Sequence, residues 1–221
     1  MASAIRHKFK MILFSLILLA GQGYAQTFFE GSLVFEISGG EELQKMKSYS
    51  KGGMIRLEPE TPGQNFAMIY NKDANELLML MPDQKMYMSM KMDPAETAEE
   101  GTEENNPEIK KTGEKKQILG YTAEKWIIKD EGTETEAWLT DELGGYFFMD
   151  NPMGKNKSLG SWENQKELMG KFPLQMIVKN EDGETATINV TDIKKGGVSD
   201  DMFKVPADFM KMDIPGMNQG Q

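Results

Sequence analysis

Between Glu76 and Met92 the chain reads ELLMLMPDQKMYMSMKM, and this stretch restricts the fold more than any other. Met86, Met88, Met90 and Met92 alternate with Tyr87, Ser89 and Lys91. A period of two is that of a β-strand and puts all four methionines on one face. Just upstream, Leu77 to Met81 is apolar at every position, which describes a strand covered on both faces. Pro82 presets φ at the second position of a turn, and Asp83 and Gln84 give it a polar tip. The stretch therefore predicts a hairpin at the centre of a sheet, with one sulfur-rich face offered as a binding surface.

The first residues read as an address. Arg6, His7, Lys8 and Lys10 precede the apolar run Met11 to Ala20, and Gly23-Tyr24-Ala25 places small residues before a cut at Gln26. This is the pattern of a secretory signal peptide over residues 1–25. The run is too short to span a bilayer, which takes about 20 residues. Cleavage near Ala25-Gln26 predicts an exported protein, periplasmic or secreted, that does not span the membrane. Loss of three positive charges takes the formal net charge from −10 to −13.

Cleavage also removes His7, the one histidine, and the chain has no cysteine. Without either residue there is no Ser-His-Asp triad, cysteine nucleophile, disulfide or usual zinc site. Only carboxylate-pair chemistry would remain, and no Asp/Glu pair stands out. The expectation is a non-catalytic protein with no cofactor and no resident metal. Strong negative charge argues against nucleic acid, whose phosphates need a basic face.

Hairpins follow one another along the chain. Leu33, Phe35 and Ile37 alternate with polar residues in a first strand, Glu41 to Lys51 leans to strand, and Gly52-Gly53 turns into Met54 to Glu58. Phe66, Met68 and Tyr70 share a strand face, as do Trp126 and Ile128. Leu174, Met176 and Val178, then Ala186, Ile188 and Val190, flank an Asp-Gly turn. Residues 93–109 carry seven Asp/Glu and no Lys/Arg, and read as a disordered acidic insert. Thr140 to Leu143 suggests a capped helical turn and Ser161 to Met169 a short helix. Ser199-Asp200-Asp201 caps a last turn carrying Met202 and Phe203. The count is about ten short strands with one or two short helices. The fold class is mainly β (α+β minor): a curved antiparallel sheet or half-open barrel whose concave face is lined by helix and C-terminal segment. One domain spans residues 26–215, and residues 216–221 form a frayed tail.

Several motifs carry a resemblance. They are Arg56 in its strand, the hairpin Leu77 to Met92 with Tyr87, Ile118-Leu119-Gly120-Tyr121-Thr122-Ala123-Glu124-Lys125-Trp126, Glu136-Ala137-Trp138-Leu139-Thr140, and Asp200-Asp201-Met202-Phe203-Lys204-Val205-Pro206. In this order they resemble exported bacterial proteins of a domain-of-unknown-function family grouped with the LolA/LolB-type lipoprotein carriers. The resemblance implies an incomplete antiparallel barrel with an apolar cavity, which in the carriers takes acyl chains. No carrier's functional position matches a residue here.

The leading functional expectation is a monomeric envelope protein binding an apolar ligand (a lipid, acyl chain or lipoprotein tail). The candidate lining is Phe35, Met68, Met79, Met81, Met86, Met88, Met90, Trp126 and Trp138. An alternative is an envelope interaction or sensing protein that uses the sheet as scaffold. A third is Cu(I) held by thioethers. Same-face neighbours on one strand stand about 7 Å apart, too far for two sulfurs of one strand to share an ion comfortably.

Overall fold

The structure, a computed structural model, describes residues 28–40, 42–92, 107–130, 132–146 and 165–212. The segment read as a signal peptide, most of the acidic insert and the residues from 213 onward lie outside these. Twelve strands form one open, curved sheet: β1 (Gly31–Ser38), β2 (Gln44–Lys51), β3 (Met54–Pro59), β4 (Ala67–Asn71), β5 (Glu76–Met81), β6 (Met86–Lys91), β7 (Glu108–Ile118), β8 (Tyr121–Asp130), β9 (Thr133–Thr140), β10 (Phe172–Lys179), β11 (Thr185–Lys195) and β12 (Met210–Lys211). Their order across the sheet is β12-β6-β5-β4-β3-β2-β1-β11-β10-β9-β8-β7. Every neighbouring pair is antiparallel except β12, which runs parallel to β6. Two meanders of short hairpins thus meet where β1 pairs with β11, a junction that joins distant parts of the chain, as the docking of β12 on β6 also does.

Local sequence explains the hairpins. Leu119 and Gly120, both at positive φ (51° and 85°), form the two-residue link between β7 and β8. That twist matches the flanking strands, and glycine takes its half of it at no steric cost. Pro82–Gln84 makes a single 3-10 turn between β5 and β6, with Lys85 left-handed after it.

Side chains directly opposite one another in adjacent strands share a face. Traced through the register, Met88, Met79, Met68, Leu57, Ser48 and Leu33 stand in one line across β6, β5, β4, β3, β2 and β1. A parallel line on the same face runs Ile37, Ile188, Met176, Ala137 and Trp126. One face of the sheet is therefore largely apolar between β6 and β8, Ser48 apart, and we call it the methionine face. The other carries Lys47, Arg56 and Glu58 in its middle, and Leu80, Ile69 and Tyr87 toward β6.

That second apolar area is where the C-terminal segment lands. Ala67, Ile69, Leu80 and Phe203 form a buried cluster, packed against by Tyr49, Met54, Leu78, Tyr87, Val198, Met202, Val205 and Phe209. The segment is held by a 3-10 turn at Asp200–Phe203, whose Ser199 side chain accepts from the Asp201 amide. Lys51 Nζ lies 2.7 Å from Asp200 Oδ1, and Arg56 Nη1 donates to the Met202 carbonyl at 2.9 Å. From Leu77 onward β5 is apolar for this reason: Leu77, Met79 and Met81 serve one face while Leu78 and Leu80 meet the C-terminal segment. The C-terminal lining expected from the sequence is found on this face. The segment covers the side opposite the methionines, because Phe203 and Phe209 find their apolar partners there.

Arg56 is the pin of this arrangement. Its side chain is 16% exposed and also pairs with Glu58 Oε1 through Nη2 at 2.5 Å. Arg56→Ala is expected to lower stability by about 2–3 kcal/mol, because a charge-assisted hydrogen bond goes and a carbonyl is left without it. Urea unfolding followed by tryptophan fluorescence measures the loss. Proteolysis of the native protein should then begin in residues 198–212.

Three further sequence expectations are adjusted. Glu108 and Ile109 belong to β7, Ile109 pairing with Ile128, so order begins before the expected end of the acidic insert. Thr140 Oγ1 does accept from the Glu142 amide, yet Asp141–Leu143 is a bend and not a helical turn. Of the expected helix at Ser161–Met169, residues 161–164 lie outside the described residues. The remainder is a turn, with the Leu168 and Met169 amides both donating to the Gln165 carbonyl. Among the described residues the helical elements are the two 3-10 turns.

Candidate functional site

Three adjacent strands bring the methionines together. Met68 stands opposite Met79, Met79 opposite Met88, Met81 opposite Met86, and Leu77 opposite Met90. Such cross-strand partners have Cβ atoms about 4.5–5.5 Å apart, much closer than neighbours along one strand. β12 extends the patch at the edge, with Met210 opposite Met86 and 66% exposed. Met68, Met79, Met81, Met86, Met88 and Met90 are each half-buried. Beside them on the same face Leu77 and Ile55 are fully buried, so the patch adjoins buried apolar residues.

The rest of this face is closed. Trp126 shares it but packs with Ile128, Ala137, Leu139, Leu168 and Met176. Phe35 shares it too and packs with Leu33, Val190, Phe29 and Phe172. Near the middle of the sheet a plug forms from three rings: Phe29 and Phe172 with centroids 5.1 Å apart, and Tyr146 at 5.3 Å from Phe172. The Phe29 amide donates to the Gly145 carbonyl at 2.8 Å, which ties the start of the sheet to the segment after β9. Tyr146 reaches Ser48, its hydroxyl 2.7 Å from Ser48 Oγ. Ser48 is 0% exposed and lies in the same transverse line as Met68, Met79 and Met88. The plug therefore marks the boundary between the filled half of the face and the methionine half.

Burial drives the Tyr146 hydroxyl well above its ordinary pKa of 10.0, the Ser48 contact pulling weakly the other way. A tyrosine whose folded pKa lies above its unfolded one contributes fully below pH 10, and that contribution falls as pH rises and the unfolded chain ionises. Wild type should lose stability above pH 10 more steeply than Tyr146→Phe, and the variant should be about 1–3 kcal/mol weaker at pH 7 because Ser48 loses its partner. Urea titrations at pH 7, 9, 10 and 11 check both.

Trp138 pairs with Lys125 and Gln175, and its neighbour Ala137, not Trp138, opposes Trp126 and Met176. Its backbone register is thus out of phase with that of Trp126, while its ring belongs to the buried cluster of Leu33, Phe35, Phe29 and Phe172. The buried cluster it shares with Phe35 is continuous across the register break between Pro173 and Gln175. Polar groups surround it. Its indole donates to Glu136 Oε1 at 2.9 Å, and Lys116 Nζ stands 3.8 Å from the ring centroid while donating to Gln175 Oε1. Desolvation lowers the Lys116 pKa. Burial raises that of Glu136, but hydrogen bonds from Lys125 and Trp138 outweigh it and the net shift is downward.

The candidate lining left out Leu57, Leu77, Tyr70 and Met46, which the register adds to the methionine face. It also left out Tyr146, whose place in an apolar run pointed to packing against the sheet. Among the described residues no group of three or more His, Cys, Asp or Glu could hold a metal ion, and no helix is long and apolar enough to cross a membrane.

An uncharacterized conserved protein from Thermus thermophilus superposes with a TM-score of 0.52 at 12% identity, covering 82% of this chain and 88% of its own. PNGF-II gives a TM-score of 0.47 at 16% identity over 82% of this chain, which spans only 30% of that one. A Vibrio parahaemolyticus domain described as an outer membrane lipoprotein-sorting protein gives 0.37 at 13% identity, covering 80% of this chain and 90% of its own. No curated protein matches the chain. The half-open single sheet is the architecture that the LolA/LolB-type resemblance implies. A family model matches residues 29–209, from the first buried phenylalanine to the last one packed beneath β4–β6, and the chain belongs to that family, DUF4412, a domain of unknown function.

Proposed function

We propose that this is an exported binding protein of the cell envelope, which holds the acyl part of a lipid or lipoprotein against the methionine face and catalyses nothing. One observation carries the reading: six half-buried methionines lie side by side on three adjacent strands, next to fully buried Leu77 and Ile55. Methionine is unbranched, flexible and polarizable, so a thioether surface adapts to chains of differing shape. Each methylene laid against it gains about 0.8 kcal/mol, so even a short alkyl segment suffices for useful affinity. Export rests on the basic and apolar pattern of residues 1–25. Apolar cargo also suits a face with no charged group on its central lines.

Native mass spectrometry of protein purified from its own envelope tests the proposal, with solvent extraction of whatever is released. The expected result is a bound apolar molecule of lipid mass. Protein that arrives empty and takes up no fluorescent fatty acid at micromolar concentration overturns it.

A further inference from the structure

The line Met68–Met79–Met88 has a second property that apolar packing does not require. Three thioethers stand side by side on three neighbouring strands, in direct register. The outer two strands of such a trio are separated by about 10 Å, and the middle one lies between them. Each methionine sulfur stands beyond Cγ on a side chain with three rotatable bonds, so the two outer sulfurs can lean inward over Met79. Spacing along one strand forbids this geometry, and spacing across strands allows it. Met81 opposite Met86 supplies a second, two-sulfur position beside it.

The surroundings select the ion. Glu58 and Glu76 fall on the opposite face by register, and the same line continues through Leu57 to Ser48. No carboxylate is therefore placed beside the three sulfurs on these strands, and the only histidine of the chain is His7. Hard divalent cations want oxygen ligands, and Zn²⁺ wants thiolate or imidazole. A neutral all-thioether set suits a soft monovalent ion, Cu(I) above all. Half-burial fits as well: the three residues are partly open, and the fully buried Leu77 and Ile55 flank them in the next line of the same face.

We infer that Met68, Met79 and Met88 form a thioether site for one Cu(I) ion. This goes beyond the acyl-binding reading and does not depend on it, although the two share a face. Leucine separates them, since it keeps the apolar volume and removes the sulfur. The test is anaerobic competition of the purified protein for Cu(I) against bathocuproine disulfonate, with wild type, Met79→Leu and the triple Leu variant at 68, 79 and 88. Wild type should withdraw one equivalent of Cu(I), Met79→Leu should bind at least tenfold more weakly, and the triple variant should bind none. All three should melt alike, which shows that the fold is kept. Failure of wild type to compete for Cu(I) overturns the site, as does a folded triple variant that competes as well as wild type. Wild type that competes for Cu(I) yet takes up no fluorescent fatty acid would count against the acyl reading alone.

Discussion

Phe172→Ala is expected to cost about 3–5 kcal/mol of stability, the range for truncating a fully buried aromatic ring. Phe172 is 0% exposed and is the ring between Phe29 and Tyr146. Three parts of the chain far apart in sequence meet on it: the entry to β1, the segment after β9 and the start of β10. Backbone contacts repeat the connection, Phe28 bridging Gly145 and the Tyr146 amide donating to the Lys171 carbonyl. Removing the ring leaves a cavity that this tied framework collapses into poorly, so the upper end of the range is expected. The effect should appear as a lower denaturant midpoint with an unchanged slope. Phe172→Leu, which keeps much of the volume, should lose less than half as much. A loss below about 1 kcal/mol for the alanine variant would show that the rings do not form a close-packed plug.

Met88→Asp is expected to reduce uptake of a fluorescent fatty acid at least tenfold. Its side chain stands opposite Met79 at the centre of the methionine face. A carboxylate there must either lose water when an acyl chain covers it or keep the chain away, and an unpaired buried charge is costly. Because the position is half-buried in the absence of ligand, the fold itself should lose only about 1–3 kcal/mol. Met88→Leu is the control and should take up fatty acid as wild type does. A Met88→Asp protein with unchanged melting temperature and unchanged ligand content would remove this face from the proposed function.

Much of the architecture was legible in local patterns. The alternation Met86, Met88, Met90 predicted both a strand and a shared face, and both are present. Gly52-Gly53, Pro82-Asp83 and Asp182-Gly183 mark turns where turns occur. Ser199 caps the turn it was expected to cap. Where reasoning went astray, the information was not local. The phase of Trp138 relative to Trp126 depends on the pairing of β8 with β9, and a shift of one residue reverses a face. A C-terminal lining was expected, and nothing in the spacing of Phe203 and Phe209 says which side of the sheet they meet. The helix expected from Ser161 rested on capping chemistry, yet the described part of it is a turn, since so short a helix is stable only through the contacts it finds.

Strand identity, hairpin order and the absence of histidine and cysteine chemistry from the central domain follow from the sequence itself, because a period of two and a residue census are properties of neighbours along the chain. Three things belong to the tertiary structure alone. It decided that Met68, Met79 and Met88 line up across strands, that Tyr146 closes the face at Ser48, and that Phe203 and Phe209 cover the opposite side. The physical reason is the same for each. Register and face coverage are set by free energies of contact between segments tens of residues apart, where every strand offers two faces and the chain between them carries no record of which was chosen.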